Sequence, residues 1–77
     1  MTPTESFRRT EWYFRKYMLA QYNLECSLIF ANAGTDFVAR VEGEIIDMSR
    51  DHLLNSPKSA TQSIAKEIFD LYPEYFL

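Results

Sequence analysis

The stretch Leu24-Glu25-Cys26-Ser27-Leu28-Ile29-Phe30-Ala31-Asn32-Ala33-Gly34-Thr35-Asp36-Phe37-Val38-Ala39-Arg40-Val41-Glu42-Gly43-Glu44 decides the fold. Leu24, Cys26, Leu28 and Phe30 alternate with Glu25, Ser27, Ile29 and Ala31, the period of two that a half-buried strand requires. Asn32-Ala33-Gly34-Thr35 is turn chemistry, and Gly34 can take the positive φ that a hairpin with a bulge needs. A return strand over residues 36–42 then places Phe37, Ala39 and Val41 inward and Val38, Arg40 and Glu42 outward. Glu42-Gly43 reads in two ways: a second tight turn that starts a third strand over 44–48, or a bulge in one long strand.

Helical patterns flank this hairpin. Thr2 can cap a helix over residues 3–22, with Pro3 at its first position and Glu5 closing a capping box. Phe7, Phe14 and Met18 form its core stripe, flanked by Thr10, Tyr17 and Gln21. Residues 49–55 are polar apart from Leu53 and Leu54, and read as a loop or a single helical turn. Ser56-Pro57 opens a second helix whose stripe is Ala60, Ile64, Ile68, Leu71 and Tyr72, and Pro73 ends or bends it. The aromatic tail at 74–77 is expected to fold back onto the body of the domain. The expectation for 1–77 is therefore a single small α+β domain: helix, two- or three-stranded antiparallel sheet, helix, with both helices on one sheet face. The other face would show Glu25, Ser27, Arg40, Glu42 and Glu44, and reads as solvated.

Composition narrows the function classes. Seventy-seven residues with 47% hydrophobic content and a charge of only -3 argue against disorder. The single Cys26 excludes an internal disulfide, and no Cys/His spacing builds a zinc site. Charged residues stand before any apolar stretch, and the apolar runs are too short to span a bilayer, so a reducing, cytoplasmic setting is expected.

Little here suits catalysis. Cys26 and His52 are the only thiol and the only imidazole, but Cys26 is in phase with the core residues and His52 reads as a solvated loop residue. Asp47, Asp51 and His52 match no metal-ligand pattern, and Glu42 and Glu44 beside Arg40 read as a solvated face. Two glycines cannot write a phosphate-binding loop. No enzyme activity, cofactor, metal or small-molecule substrate is expected.

Charge is uneven: residues 1–22 carry +2 and residues 23–77 carry -5, so an acidic body would repel a polyanion from everything except the first helix. The element order is similar to that of the double-stranded RNA-binding domain. Val41-Glu42-Gly43-Glu44 resembles that family's strand turn, and Ser56-Pro57-Lys58-Ser59-Ala60-Thr61 resembles the lysine-rich opening of its last helix. Where that family places a run of lysines for phosphates, this chain has only Lys58. Direct nucleic-acid binding through the basic first helix is the alternative reading.

The most informative feature is a second stripe on that helix, where Trp12 and Leu19 are interleaved with Arg8, Arg15 and Lys16, and Tyr13 stands beside them. Trp, Tyr and Arg carry much of the binding energy at protein interfaces, because rigid aromatic area desolvates at low entropy cost. Trp12 either anchors the core beneath Tyr75, Phe76 and Leu77 or stands on a partner surface, a homodimer seam included. Split apolar stripes and weak positive charge argue against membrane binding. The expectation is a non-enzymatic protein-interaction module. By class it looks like the small inhibitors encoded by phages and mobile elements, anti-CRISPR and anti-restriction proteins among them. If it mimics nucleic acid, Glu25, Glu42, Glu44, Asp47 and Asp51 are the acidic candidates.

Overall fold

The computed structural model describes residues 3–76, and in it the alternating stretch folds into three antiparallel strands: β1 (Cys26–Ala31), β2 (Asp36–Val41) and β3 (Glu44–Met48), in the order β1-β2-β3. Glu42 and Gly43 have φ of 50° and 88°, so the segment is a two-residue turn of the kind whose twist suits a hairpin, and a third strand follows it. The first hairpin closes through four residues, with Asn32, Ala33 and Gly34 all at positive φ. There the Gly34 N–H donates to the Ala31 carbonyl at 3.1 Å, and the Thr35 hydroxyl donates to the Asn32 carbonyl at 2.7 Å.

The two-residue turn pairs Val41 with Glu44, Ala39 with Ile46 and Phe37 with Met48. Paired residues share a face, so Ile46 and Met48 enter the core while Glu44 stands on the helix-bearing side. This corrects the expectation that Glu44 shares the open face with Glu25. Ile45 occupies that face instead, opposite Arg40. The open face is accordingly more apolar than its charges suggest. Val38, at the middle of the central strand between Ile29 and Asp47, is only 2% exposed.

Helix α1 spans Pro3–Tyr22 and α2 spans Pro57–Leu71, and both contribute to one core. The capping box expected at Thr2 lies outside the described residues. Asn23 ends α1 in the left-handed conformation, φ 55°, with its N–H donating to the Leu19 carbonyl at 3.0 Å. At the start of α2, Ser56 accepts from the Ser59 N–H and Pro57 takes the first position. Phe14 and Met18 from α1 meet Leu28, Phe37, Ala39 and Val41 from the sheet and Ile64 and Ile68 from α2. Truncating a fully buried aromatic such as Phe14 to Ala would cost ~3–5 kcal/mol, a large share of what a small domain has.

The periphery departs from the pattern in three places. Phe30 remains 37% exposed, although its ring lies 4.7 Å from Phe7 and 5.6 Å from Phe37 at the end of the sheet. Leu71, expected on the core stripe, is exposed because Tyr72, Tyr75 and Phe76 close that end of the core. The tail does fold back as a short 3-10 helix, Pro73–Phe76, with the Phe76 ring 4.5 Å from Tyr22. Residues Arg50–Leu54 form a 3-10 turn in which His52 is half-buried rather than solvated, its Nε2 lying 3.4 Å from Glu67 Oε1. No helix among the described residues is long and apolar enough to cross a membrane.

Among the described residues, one buried side-chain polar atom lacks a partner: the hydroxyl of Thr61 on α2. Thr61→Val keeps the shape and removes the unsatisfied group, so it is expected to stabilise the fold by about 1 kcal/mol. Thermal unfolding should show a midpoint about 4–8 °C higher.

Candidate functional site

The core stripe of α1 fixes where its second stripe points. Trp12 and Leu19 lie well round the helix from Phe14, and they are 59% and 52% exposed. Among the described residues of the C-terminal tail, Phe76 packs against Tyr22 and Phe69 rather than over Trp12; Leu77 lies outside the described residues. Trp12 therefore stands outside the core. Its ring meets the edge of Tyr13 at 5.6 Å, and Lys16 Nζ sits over it at 5.7 Å. Such a cation–π contact is worth about 0.5–1 kcal/mol at an exposed position and sets a charge beside the indole.

These side chains form one wall of a groove of about 720 Å³. Trp12, Arg15, Lys16 and Leu19 line it from α1. The facing wall is the segment entering β1, Leu24, Glu25, Cys26 and Ser27, together with Arg40 and the Glu42-Gly43 turn. Arg40 reaches the groove because the register sets it opposite Ser27. Glu42 ties the wall together: its N–H donates to the Glu25 carbonyl at 3.0 Å, and its Oε1 accepts from the Glu25 N–H at 3.1 Å. Arg15, Lys16 and Arg40 thus stand around an apolar strip with Glu25 and Glu42 at one end.

The groove gathers some of the expected site residues and separates others. Trp12, Arg15, Lys16 and Leu19 come together with Glu25 and Glu42. Tyr13 supports Trp12 without lining the groove, and Arg8 is exposed on α1 outside it. The acidic candidates do not make one surface. Glu44 lies on the helix-bearing side near Tyr75, whose phenol is pushed up by burial and then by that carboxylate. Asp47 is on the open face opposite Val38, and Asp51 belongs to the 3-10 turn, where its N–H donates to Ser49 Oγ. Sequence reading missed Arg40 as a groove residue. The signal was the hairpin register, which pairs it with Ser27 beside the edge of the sheet.

Cys26 forms part of the groove floor but is buried, and burial, followed by the nearby Glu42 carboxylate, pushes its thiol up to about 12. A thiol held that high is protonated at neutral pH, the unreactive form. Among the described residues, no group of three His, Cys, Asp or Glu side chains could hold a metal ion. No protein-family model, curated protein or solved structure matches the chain.

The raised Cys26 value has a testable sign. Below about pH 9 the thiol is protonated in both folded and unfolded chains, and its full contribution to stability is present. Between about 9 and about 12 the unfolded chain ionises while the folded one does not, so stability falls as pH rises through that window. A thiol-reactive chromophore at neutral pH should label the native protein far more slowly than the denatured one. Cys26→Ser should flatten the alkaline limb of the stability profile measured by denaturant titration.

Proposed function

We propose that this chain is a non-enzymatic protein-interaction module that acts by occupying a surface of a partner through the α1 groove. The observation that carries the reading is the exposed Trp12–Leu19 strip flanked by Arg15, Lys16 and Arg40, none of them within ion-pair distance of a carboxylate among the described residues. Rigid aromatic area next to guanidinium groups is what interface hot spots are made of. The partner is a protein of the same reducing, cytoplasmic compartment, or a second copy of this chain. Inhibition of a host complex, as small proteins of phages and mobile elements practise it, is one outcome of such occupation.

A second reading has one observation in its favour. The order α-β-β-β-α is similar to that of the double-stranded RNA-binding domain, and Arg8, Arg15 and Lys16 would supply phosphate contacts. Glu25 and Glu42 in the groove and the net -5 of residues 23–77 oppose a polyanion.

The two readings separate in an affinity pull-down from the source cell's lysate, with and without nuclease, against a Trp12→Ala/Arg15→Ala double variant. The expected result is a defined protein that survives nuclease and is lost with the variant. Because both side chains are exposed, the variant should lose only about 1 kcal/mol, the order of the Lys16 contact with the Trp12 ring. Capture of nucleic acid alone, weakened by salt and by replacement of Arg8, Arg15 and Lys16, would overturn the interaction reading. A collapse of stability in the double variant would return Trp12 to the core.

A further inference from the structure

The groove beside α1 offers a ligand mainly side chains. On one wall the backbone groups of α1 are bonded within the helix. On the other, Leu24 and Cys26 are each 8% exposed, and both backbone groups of Glu25 are taken by Glu42: the carbonyl accepts from its N–H and the N–H donates to its carboxylate. An extended segment pressed against these walls would lose water from its own N–H and C=O groups without gaining partners for them. A helix brings its backbone bonds with it and needs only side-chain contacts.

The apolar strip has the spacing of a helix. Trp12 and Leu19 are exposed and stand seven positions apart on α1, two turns and about 10 Å of rise. A partner helix laid along α1 has the same rise per residue, so apolar side chains at i and i+7, with one at i+3 or i+4 between them, match the strip. Charge then selects which helix. Arg15, Lys16 and Arg40 border the strip, and none of them is within ion-pair distance of a carboxylate among the described residues. A second copy of the chain does not complement them. Its α1 would bring Arg8, Arg15 and Lys16 against like charges, and the exposed side of its α2 carries Lys58 and Lys66 against Asp70.

We infer that the groove receives an acidic amphipathic helix of a partner protein other than this chain, its apolar stripe laid on Trp12 and Leu19 and its flanking carboxylates meeting Arg15, Lys16 and Arg40. This inference rests on the interaction reading above and adds the form and the charge of the element bound. The indole and Leu19 supply the area that is desolvated, and the cations at the rim supply selection among helices of similar shape. Charge also decides for a protein over a nucleic acid. Glu25 and Glu42 occupy one end of the groove, where a helix can place a neutral or basic residue and a continuous phosphate backbone cannot.

The test uses the intact chain, a displayed library of random linear peptides, and the emission of Trp12, the only tryptophan. Sequences enriched on the wild type but not on the Trp12→Ala/Arg15→Ala variant should repeat apolar residues at spacings of three or four and seven, with Asp or Glu between them. A synthetic copy of the most enriched sequence, any tryptophan in it replaced by phenylalanine, should shift Trp12 emission and gain helical circular dichroism on binding. Proline at its centre should weaken binding about tenfold or more, and a lactam bridge from i to i+4 on its outward side should not. Arg40→Glu should weaken binding, and an Arg at one of the acidic positions of the peptide should restore it. A peptide that binds at Trp12 but tolerates the proline, or is lost with the bridge, overturns the helix and leaves the interaction reading standing. So does a dimer of this chain that buries Trp12, or a failure to enrich any peptide while a protein partner is still captured through Trp12. If basic peptides are selected, or if a short RNA duplex shifts the emission and no peptide does, both readings fall.

Discussion

The turn at Glu42 is the constraint on which the rest of the molecule depends. Glu42 holds a left-handed backbone, φ 50°, which costs a residue with a Cβ roughly 1–2 kcal/mol. Its two hydrogen bonds to Glu25, one through the backbone and one through the carboxylate, oppose that cost and pin the entry of β1 against β2. With Gly43 at φ 88° the loop is held to two residues, and that length fixes the register of β3. A one-residue slip would turn Ile46 and Met48 to the open face and Ile45 and Asp47 into the core. The same pair of hydrogen bonds builds one end of the groove, so register and candidate site share a single local cause.

The size of the chain sets what can be left outside. A domain of 77 residues needs most of its large apolar side chains in the core, and Phe14, Phe37, Met18, Leu28, Ile64 and Ile68 are fully buried there. The aromatics of the tail are used to close one end, with Phe76 between Tyr22 and Phe69. Trp12 takes no part in either cluster. Among the described residues its ring contacts are with Tyr13 and Lys16 of its own helix, which leave it 59% exposed. A large rigid side chain held in that way in a small domain is the strongest single indication that the α1 surface has a use.

The helices and the first hairpin were legible because their periods are long and their punctuation is chemical: Pro3, Ser56-Pro57 and Pro73 mark helix limits, and Asn32 to Thr35 can only turn. Gly43 was ambiguous, since the same residue serves a bulge or a two-residue turn. The face of Glu44 depended on that choice, because side chains alternate and a turn of known length is needed to carry the alternation across. Trp12 was readable as off the core stripe but not as exposed, since a helical wheel shows direction and not what comes to cover it. Arg40 in the groove was hidden for the same reason as Glu44. It joins Trp12 only when the hairpin register and the packing of α1 are combined.

A free sheet edge is a hazard, because its unpaired N–H and C=O groups accept any strand of suitable register. The two edges of this sheet are protected differently. β3 is five residues long and carries the charges of Glu44 and Asp47, which discourage pairing with a copy of itself. β1 is longer and its sequence, Cys26-Ser27-Leu28-Ile29-Phe30-Ala31, bears no charge at all, so its composition offers no such defence. Burial takes its place: Cys26 is 8% exposed and Leu28 0%, so the backbone groups these residues turn away from β2 are closed to an incoming strand. One edge is thus guarded by charge and the other by burial, and the same packing of α1 that completes the core closes the β1 edge.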